Sequence, residues 1–278
     1  MISVVQLGTV DYATGLRLQK QLVSLRKEEK IGDVLLLLEH SPVITLGRNA
    51  RVANVIASPE RMTQQGVELF ECDRGGDVTF HGPGQIVGYP IFDLRGFATT
   101  EGKRKTLGAV DFIRRLEEVL IRTCADFKIP TKRLAGLTGV WTDAEAIESN
   151  SGITSESPAL DVDKDSEAKL AAIGVHISRF VTSHGFALNV NTDLSFFNLI
   201  VPCGITEKPV TSMREQLNRE VGLNLVAESI SRNFGTVFST QMLWVEAIDD
   251  LLGPTIGVPM QRPAEFRQLH EEDDTTWA

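Results

Sequence analysis

The residues of this sequence that could carry covalent chemistry are a cysteine, a lysine and four histidines. Cys203 lies between Pro202 and Gly204, in a turn with little side-chain bulk, whereas Cys72 and Cys124 lie within apolar runs. A free thiol is mostly protonated at neutral pH, so a nucleophilic cysteine needs a cationic or basic neighbour. The candidates for that neighbour are Lys169, His40, His81, His176 and His184.

Residue types alone leave the partner of the cysteine open. His81 and His184 each precede a glycine and are candidates for lining a pocket, whereas His176 alternates with apolar residues and can face solvent. His40 follows an apolar run and reads as a satisfied turn residue. A Cys–His dyad is the default pair on these types, and a small residue in a tight turn is the alternative interpretation of Cys203. No spacing of ligand-type residues predicts a metal site.

A glycine-rich stretch at residues 74–85, Arg-Gly-Gly-Asp-Val-Thr-Phe-His-Gly-Pro-Gly-Gln, separates two apolar runs that predict strands, at 67–72 and 86–94. Its glycines allow the backbone to approach a ligand closely, and Arg74 and His81 supply its strong polar groups. The stretch has neither the spacing of a phosphate loop nor that of a dinucleotide fingerprint. It is either a binding turn or a hairpin corner.

Hydrophobic patterning predicts the elements that position these groups. Asp11 can cap a first helix, and apolar residues at steps of three and four from Thr106 to Phe127 predict a helix with Cys124 on its buried stripe. The continuous apolar run at 33–39 predicts a strand buried on both faces. Further strands are predicted at 2–6, 42–48, from 139, 169–178 and 181–191, and helical segments at 193–200, 213–217 and 223–238.

Length and composition are those of an ordinary soluble protein, with 278 residues, 42% hydrophobic and 23% charged. No apolar window is long enough to span a bilayer, and the first residues lack the pattern of a secretory signal. Three scattered cysteines do not make a disulfide framework. These features predict a cytoplasmic protein that does not bind membranes.

The net charge of −9 is unevenly distributed. Residues 143–168 carry eight acidic residues and one lysine, and residues 264–278 carry five acidic residues and one arginine, so the rest of the chain is slightly basic. Because nucleic-acid binding needs a clustered basic face, we predict none. A local basic patch is possible at Lys103, Arg104 and Lys105, with a solvated loop as the alternative. The acidic loop and the residues past 253 are predicted to have low order.

Six segments together resemble the lipoyl(octanoyl) transferase family, in the family's order over roughly residues 3–240. They are residues 38–48, 74–85, 139–141, 169–174, 183–191 and 202–204. The resemblance implies an α/β (α+β) fold, a single domain like biotin protein ligases and lipoate ligases with a mixed sheet packed by helices. It implies a catalytic domain at 1–240, which includes the acidic loop at 143–168, and a C-terminal extension at 241–278. The loop and the extension are longer than is usual in the family.

The resemblance implies transfer of an octanoyl group from the phosphopantetheine of acyl carrier protein to a lysine of a lipoyl domain. Such domains occur in 2-oxoacid dehydrogenase E2 subunits and in the glycine cleavage H protein. Cys203 is the implied acyl-thioester nucleophile and Lys169 its partner, in a monomer that uses no ATP and no metal. The implied substrate-binding residues are Arg74, Gly75, Gly76, Asp77, Val78, Thr79, Phe80, His81, Ala172, Ile173, Gly174, His184, Gly185, Phe186 and Ala187.

Three other functions are compatible with parts of the pattern. An ATP-dependent lipoate or biotin ligase activates its acid as an adenylate, so it needs no cysteine nucleophile. A non-catalytic protein that binds acyl carrier protein or lipoyl domains is a second alternative. A Cys–His hydrolase that releases free octanoate is a third. Transfer from thioester to thioester to amide is downhill, so the octanoyltransferase interpretation requires no ATP-binding loop.

Overall fold

The computed structural model describes residues 1–97, 106–143, 167–204 and 208–252, and for Cys203 it describes the backbone only. The predicted basic patch at residues 103–105 lies outside the described residues. So do most of the acidic loop, at 144–166, and the chain beyond 252.

The described residues form strands, α-helices and short 3₁₀ turns. The strands are β1 (Ile2–Val10), β2 (Asp33–His40), β3 (Val43–Leu46), β4 (Glu68–Glu71), β5 (Val78–His81), β6 (Gln85–Ile91), β7 (Thr131–Leu134), β8 (Leu137–Thr142), β9 (Lys169–Ser178), β10 (Val181–Asn189) and β11 (Met242–Trp244). The α-helices are α1 (Tyr12–Lys27), α2 (Pro59–Gln64), α3 (Ala109–Asp126), α4 (Met213–Leu217), α5 (Leu223–Phe238) and α6 (Asp249–Leu252). Short 3₁₀ turns occur at Val52–Asn54, Leu94–Gly96, Leu194–Leu199 and Pro202–Gly204.

The strands form two sheets. The main sheet has eight strands in the order β11-β1-β2-β6-β10-β9-β8-β7, and the small sheet has three, in the order β4-β3-β5. β1 is parallel to both of its neighbours, and from β2 to β7 each neighbouring pair is antiparallel. The predicted α/β fold with a mixed sheet packed by helices is therefore confirmed.

The main sheet is covered on both faces, and β2 shows why its sequence is continuously apolar. Leu35 and Leu37 pack in the core with α3 and α5, whereas Leu36 and its alternating neighbours pack in a second core with α1. A strand buried on both faces has no solvent-facing positions to fill with polar residues. Cys124 on α3 is fully buried as predicted, and burial raises the pKa of its thiol to about 12.

The glycine-rich stretch differs from its prediction as a turn between two strands. Its middle, Val78–His81, is itself a strand, β5, which pairs with β3 in the small sheet. The flanking strands β4 and β6 belong to different sheets, so the stretch is not a hairpin corner. Glycines on both sides of a four-residue alternating segment obscured the strand.

The main sheet continues past the predicted boundary at residue 240. β11 pairs in parallel with β1, and Ile248 is buried in the core beneath α1. The first part of the predicted C-terminal extension therefore belongs to the same fold. A strand of three residues and a helix of one turn are too short for periodicity to reveal. No helix in the described ranges is long and apolar enough to cross a membrane.

Candidate active site

A cavity of about 180 Å³, here called the site cavity, lies on the α1 face of the main sheet beside β5. Its floor consists of two cross-strand pairs of small residues, Ala172 with Ala187 and Gly174 with Gly185. Small side chains leave room above a sheet for an apolar ligand. The predicted site residues that line it are Arg74, Gly75, Gly76, Asp77, Thr79, His81, Lys169, Ala172, Ile173, Gly174, His184, Gly185, Phe186 and Ala187.

Two of the predicted binding residues do not line the site cavity. Val78 and Phe80 are fully buried in the core between the small sheet and the 3₁₀ turn Leu194–Leu199. The Phe80 ring stacks on Phe196 with centroids 4.8 Å apart. Strand alternation explains why only some residues of β5 line the cavity. Thr79 and His81 line it, because they occupy the face of β5 opposite to that of Val78 and Phe80. The side chains of Val78 and Phe80 therefore stabilise the small sheet.

The turn at residues 74–77, here called the arginine turn, lies directly on β9. The Gly75 N–H donates to the Val175 carbonyl at 3.0 Å, and a Cβ added at Gly174 would lie 2.6 Å from the Gly75 carbonyl oxygen. No side chain fits at that separation without moving backbone. Gly174 therefore permits the turn to form one wall of the site cavity.

We expect Gly174→Ala to destabilise the protein by about 1–3 kcal/mol, because the added methyl group must displace the arginine turn. Denaturant unfolding measures this free energy directly. Gly32→Ala is the matched control, since a Cβ there meets no atom within 4 Å. Equal stability of the two variants would contradict the close packing of the turn on β9.

Arg74 holds the arginine turn together from inside. Its guanidinium donates to the Thr45 carbonyl at 2.7 Å, to the Asp77 carbonyl at 2.7 Å and to the Gly75 carbonyl at 3.1 Å. The side chain is buried, and no ion pair of Arg74 occurs within the described part of the chain. It also donates to the Thr45 hydroxyl, at 2.9 and 3.2 Å. A buried cation that is held by neutral acceptors keeps its charge and favours negative charge that develops in the adjacent cavity.

Lys169 opens β9 at the edge of the site cavity and is 7% exposed. Its Nζ lies over the Trp141 ring, 4.7 Å from the centroid. Gly139, with φ at +126°, permits β8 to lie close to β9, because a Cβ there would lie 2.6 Å from the Ala171 carbonyl oxygen. The Gly-Val-Trp segment thus positions Lys169, a role that its sequence alone did not reveal.

The Pro-Cys-Gly turn (Pro202–Gly204) lies close to both Lys169 and the arginine turn. Pro202 and Lys169 line one small void beside Ala172 and Ala187. At Gly204, a Cβ would lie 2.9 Å from Asp77 Oδ2. The backbone of Cys203 therefore lies where the two other segments meet. The role of its thiol stays a prediction, since its side chain is not described.

The buried histidines have defined hydrogen bonds. His40 Nδ1–H donates to the Val10 carbonyl at 2.8 Å, so His40 Nε2 accepts from the Tyr89 hydroxyl at 2.6 Å. His81 Nδ1 lies 2.7 Å from Gln85 Oε1, and Gln85 Nε2 donates to Asn189 Oδ1 at 2.9 Å. Gln85 Oε1 is therefore an acceptor, and His81 donates from Nδ1. His40 is the satisfied residue that its position predicted.

These two histidines make stability dependent on pH. Burial lowers the pKa of His40 to about 4, and burial together with the nearby His40 and Arg74 lowers that of His81 to about 3. The unfolded chain, with a histidine pKa of about 6.5, binds protons between these values that the folded protein does not. The free energy of unfolding should therefore fall as pH drops below about 6.5, by up to about 1.4 kcal/mol per pH unit for each histidine.

The measurement is urea unfolding between pH 7.5 and 5.5, on wild type and His40→Gln. The variant should show a smaller loss of stability over this range, because it removes a buried imidazole whose pKa is lowered in the folded protein. Identical slopes would contradict a depressed pKa at His40.

His184 and Asp73 form a further pair at the end of the site cavity. His184 Nε2–H donates to Asp73 Oδ1 at 2.7 Å, and His176 Nε2 lies 3.7 Å from Asp73 Oδ2. Burial lowers the pKa of His184, and although partial burial alone would raise the pKa of Asp73, the hydrogen bond from His184 lowers it. At neutral pH the pair is a neutral imidazole and a carboxylate. His176 does not line the site cavity.

Several residues of the site were not predicted from the sequence. Tyr12 at the start of α1, Val87 and Tyr89 on β6 and residues 136–138 also line the site cavity. Their sequence contexts are ordinary apolar or turn segments, so only their position in the fold marks them. Within the described ranges no group of three or more His, Cys, Asp or Glu side chains could hold a metal ion.

Comparison with known proteins gives sequence matches over most of the chain. Residues 11–235 match the family described as lipoyl protein ligase A/B catalytic domain. An octanoyltransferase of Koribacter versatilis is 55% identical over 273 residues, which cover 98% of each chain. An octanoyltransferase of Acidobacterium capsulatum is 53% identical over 254 residues, 91% of this chain and 96% of the relative.

Solved structures with the same fold are lipoate ligases of low sequence identity. A bipartite lipoate protein ligase of Thermoplasma acidophilum, described with its E2 lipoyl domain, superposes with a TM-score of 0.63 at 14% identity and covers 91% of this chain and 89% of its own. A lipoate-protein ligase A bound with ATP gives a TM-score of 0.58 at 13% identity, with 89% of each chain covered. The predicted likeness to the lipoate ligase fold is confirmed.

Proposed function

We propose a reaction for this chain, which belongs to the lipoyl(octanoyl) transferase family and is an acyltransferase. In this reaction the chain moves octanoyl groups from acyl carrier protein to a lysine of lipoyl domains. The observation that carries the proposal is that three separate segments lie side by side: the arginine turn and Lys169 line the site cavity, and Lys169 and Pro202 line the small void beside it. The arginine turn, Lys169 and the Pro-Cys-Gly turn meet beside a floor of alanine and glycine. A nucleophile, a proton carrier and an acyl-binding surface are the parts that such a transfer needs.

In the first half-reaction the Cys203 thiol gives its proton to Lys169, and the thiolate attacks the octanoyl thioester on phosphopantetheine. The tetrahedral intermediate carries a negative oxygen, which the buried Arg74 charge near the cavity favours. The intermediate collapses by breaking the bond to the pantetheine sulfur, which takes the proton back from Lys169. The octanoyl group is then a thioester on Cys203.

In the second half-reaction the amine of the lipoyl-domain lysine attacks the Cys203 thioester. Lys169, as a neutral amine, accepts a proton from the attacking nitrogen. The bond from the acyl carbon to the Cys203 sulfur breaks as the amide forms, and Lys169 passes its proton to that sulfur, which restores the thiol and the neutral amine. Burial beside Trp141 keeps water from the lysine that handles these protons. Water exclusion favours transfer to the amine over hydrolysis.

The octanoyl tail occupies the site cavity. Ala172, Gly174, Gly185 and Ala187 provide an apolar floor without protruding side chains. Burying each methylene contributes about 0.8 kcal/mol, so an eight-carbon chain gains most of its affinity here.

The proposed partners are acyl carrier protein as donor and lipoyl domains of 2-oxoacid dehydrogenase E2 subunits and of the glycine cleavage H protein as acceptors. The proposed reaction uses no ATP and no metal, because the thioester already stores the free energy that amide formation requires. The expectations of a cytoplasmic location and a monomer stay predictions.

The test is transfer from octanoyl-loaded acyl carrier protein to a purified lipoyl domain, with ATP omitted and with a chelator present. Mass spectrometry of the lipoyl domain should show one octanoyl group on the target lysine. A requirement for ATP and free octanoate would support a ligase instead. Saturable binding of the carrier without turnover would support a binding protein, and release of free octanoate would support a hydrolase.

A further inference from the structure

A second cavity, of about 330 Å³ and here called the outer groove, lies between α1 and the hairpin of β9 and β10. Its lining is more polar than that of the site cavity and includes Lys20, Lys27 and Ser178. Lys27 Nζ donates to Ser178 Oγ at 3.1 Å. The proposed acyl transfer does not use this groove.

The site cavity and the outer groove are adjacent to each other. Four segments cross this boundary, and on each of them one residue lines the site cavity and a nearby residue lines the outer groove. The pairs are Gly185 and Ser183 on β10, Gly174 and His176 on β9, Arg74 and Asp73 in the loop, and Tyr12 and Leu16 on α1. Among the residues described, His184 alone lines both cavities, so its side chain stands between them.

The backbone turns His184 toward the boundary. Along β10, Phe186 and Leu188 pack in the core with α3, and strict alternation would direct His184 to that same face. His184 instead has φ at +54°, and its ring lies beside Asp73 and Tyr89 on the α1 face. The His184 N–H donates to Gln19 Oε1 of α1 at 2.7 Å, which holds this unusual backbone.

We propose that His184, held in place by Asp73, is the end wall of the acyl site and sets the longest acyl chain that the enzyme accepts. This inference rests on the proposed function. The Pro-Cys-Gly turn reaches the small void beside Ala187, and His184 lies three strand residues further along, at roughly 3.3 Å per residue. A tail that starts at the thioester and follows the small-residue floor therefore ends against the imidazole.

Both the ring and the backbone of His184 are held by hydrogen bonds, so the end wall can discriminate between acyl chains of different length. His184 is 4% exposed, its Nε2–H is bonded to Asp73, and its backbone is bonded to α1. A longer tail must displace this ring or fold back over it, and either costs binding free energy. If the ring were absent, the site cavity would open into the outer groove, which has room for further methylenes.

The test replaces His184 with glycine, which the left-handed backbone at this position accommodates without strain, and with asparagine, which also tolerates it. The substrates are octanoyl-loaded and dodecanoyl-loaded acyl carrier protein, and the readout is the ratio of kcat/KM for dodecanoyl to that for octanoyl. We expect the ratio to rise at least about tenfold in His184→Gly and by less in His184→Asn. Thermal unfolding verifies that each variant is folded.

His176→Ala is the matched control. His176 also faces Asp73 but lines only the outer groove, so this variant should leave the ratio unchanged. An unchanged ratio in both His184 variants, or an equal loss with both substrates, would overturn the end wall while the wild type still transfers octanoyl. Failure of the wild-type enzyme to transfer octanoyl would overturn the proposed function and the wall with it.

Discussion

Cys203→Ser is expected to lower octanoyl transfer by at least about a thousandfold, because a serine hydroxyl at this position lacks the acidity and nucleophilicity of a thiol. Mixed with octanoyl-loaded acyl carrier protein and no lipoyl domain, the wild-type protein should gain the mass of one octanoyl group. Hydroxylamine should remove that mass, since it cleaves thioesters. Cys203→Ser should gain no hydroxylamine-sensitive mass.

The other thiols provide the controls. Cys72 is partly buried, with its Sγ within 3.4 Å of the Leu46 carbonyl, and Cys124 is fully buried with a raised pKa. Cys72→Ser should keep the octanoyl adduct and most of the transfer activity. If the adduct persisted in folded Cys203→Ser, or disappeared in Cys72→Ser alone, the assignment of the nucleophile to Cys203 would be wrong.

Lys169→Met is expected to lower kcat by about a hundredfold to ten-thousandfold, the range typical of a lost general acid–base. Methionine keeps the apolar stem beside Trp141 and removes the group that exchanges protons. Single-turnover measurements should show that both formation of the Cys203 thioester and its transfer to lysine are slowed. The protein should still bind acyl carrier protein.

Lys169→Arg distinguishes a role of Lys169 in proton transfer from a role of its positive charge. Arginine keeps a positive charge, yet it does not deprotonate at any relevant pH, so it should be nearly as inactive as methionine. Lys30→Met is the control, because Lys30 is exposed and pairs only with Glu28 among the contacts described. Near-normal activity of Lys169→Arg would show that Lys169 acts through its positive charge, and its assignment as the proton carrier would be wrong.

The two experiments are independent of the end wall. A variant that lacks the nucleophile forms no acyl-enzyme with any chain length, whereas His184→Gly should form one with a changed preference. Loss of activity at Lys169 should likewise be similar for octanoyl and dodecanoyl donors. The three positions therefore separate the nucleophile, the proton carrier and the length limit.

Much of the fold was predictable because local patterns encode local structure. The strict apolar period of α3, the continuous apolar run of β2 and the alternating pair β9 and β10 each form as predicted. The conformation of each of these segments follows from which of its faces must be buried. The resemblance to the lipoyl(octanoyl) transferases, carried by six short segments, indicated the family that the relatives then established.

The sequence by itself also determined the residue types of the arginine turn and of the segment that begins at Lys169, since each of them is contiguous. It did not show that Val78 and Phe80 turn away from the cavity, because glycines on either side concealed the strand they belong to. Nor did it reveal the part played by Trp141 or Tyr89, whose contacts come from residues distant along the chain.

Tertiary structure alone decided where the site cavity ends. His184 and Asp73 are separated by 111 positions in sequence, and the left-handed backbone of His184 breaks the alternation from which its orientation would be predicted. Pattern reasoning assumes regular dihedral angles and contacts between near neighbours. A wall between two cavities cannot be found in this way, because it forms where β9, β10, the arginine turn and α1 come together. Short segments thus set which residue types are present, and the packing between those segments set the shape of the cavity.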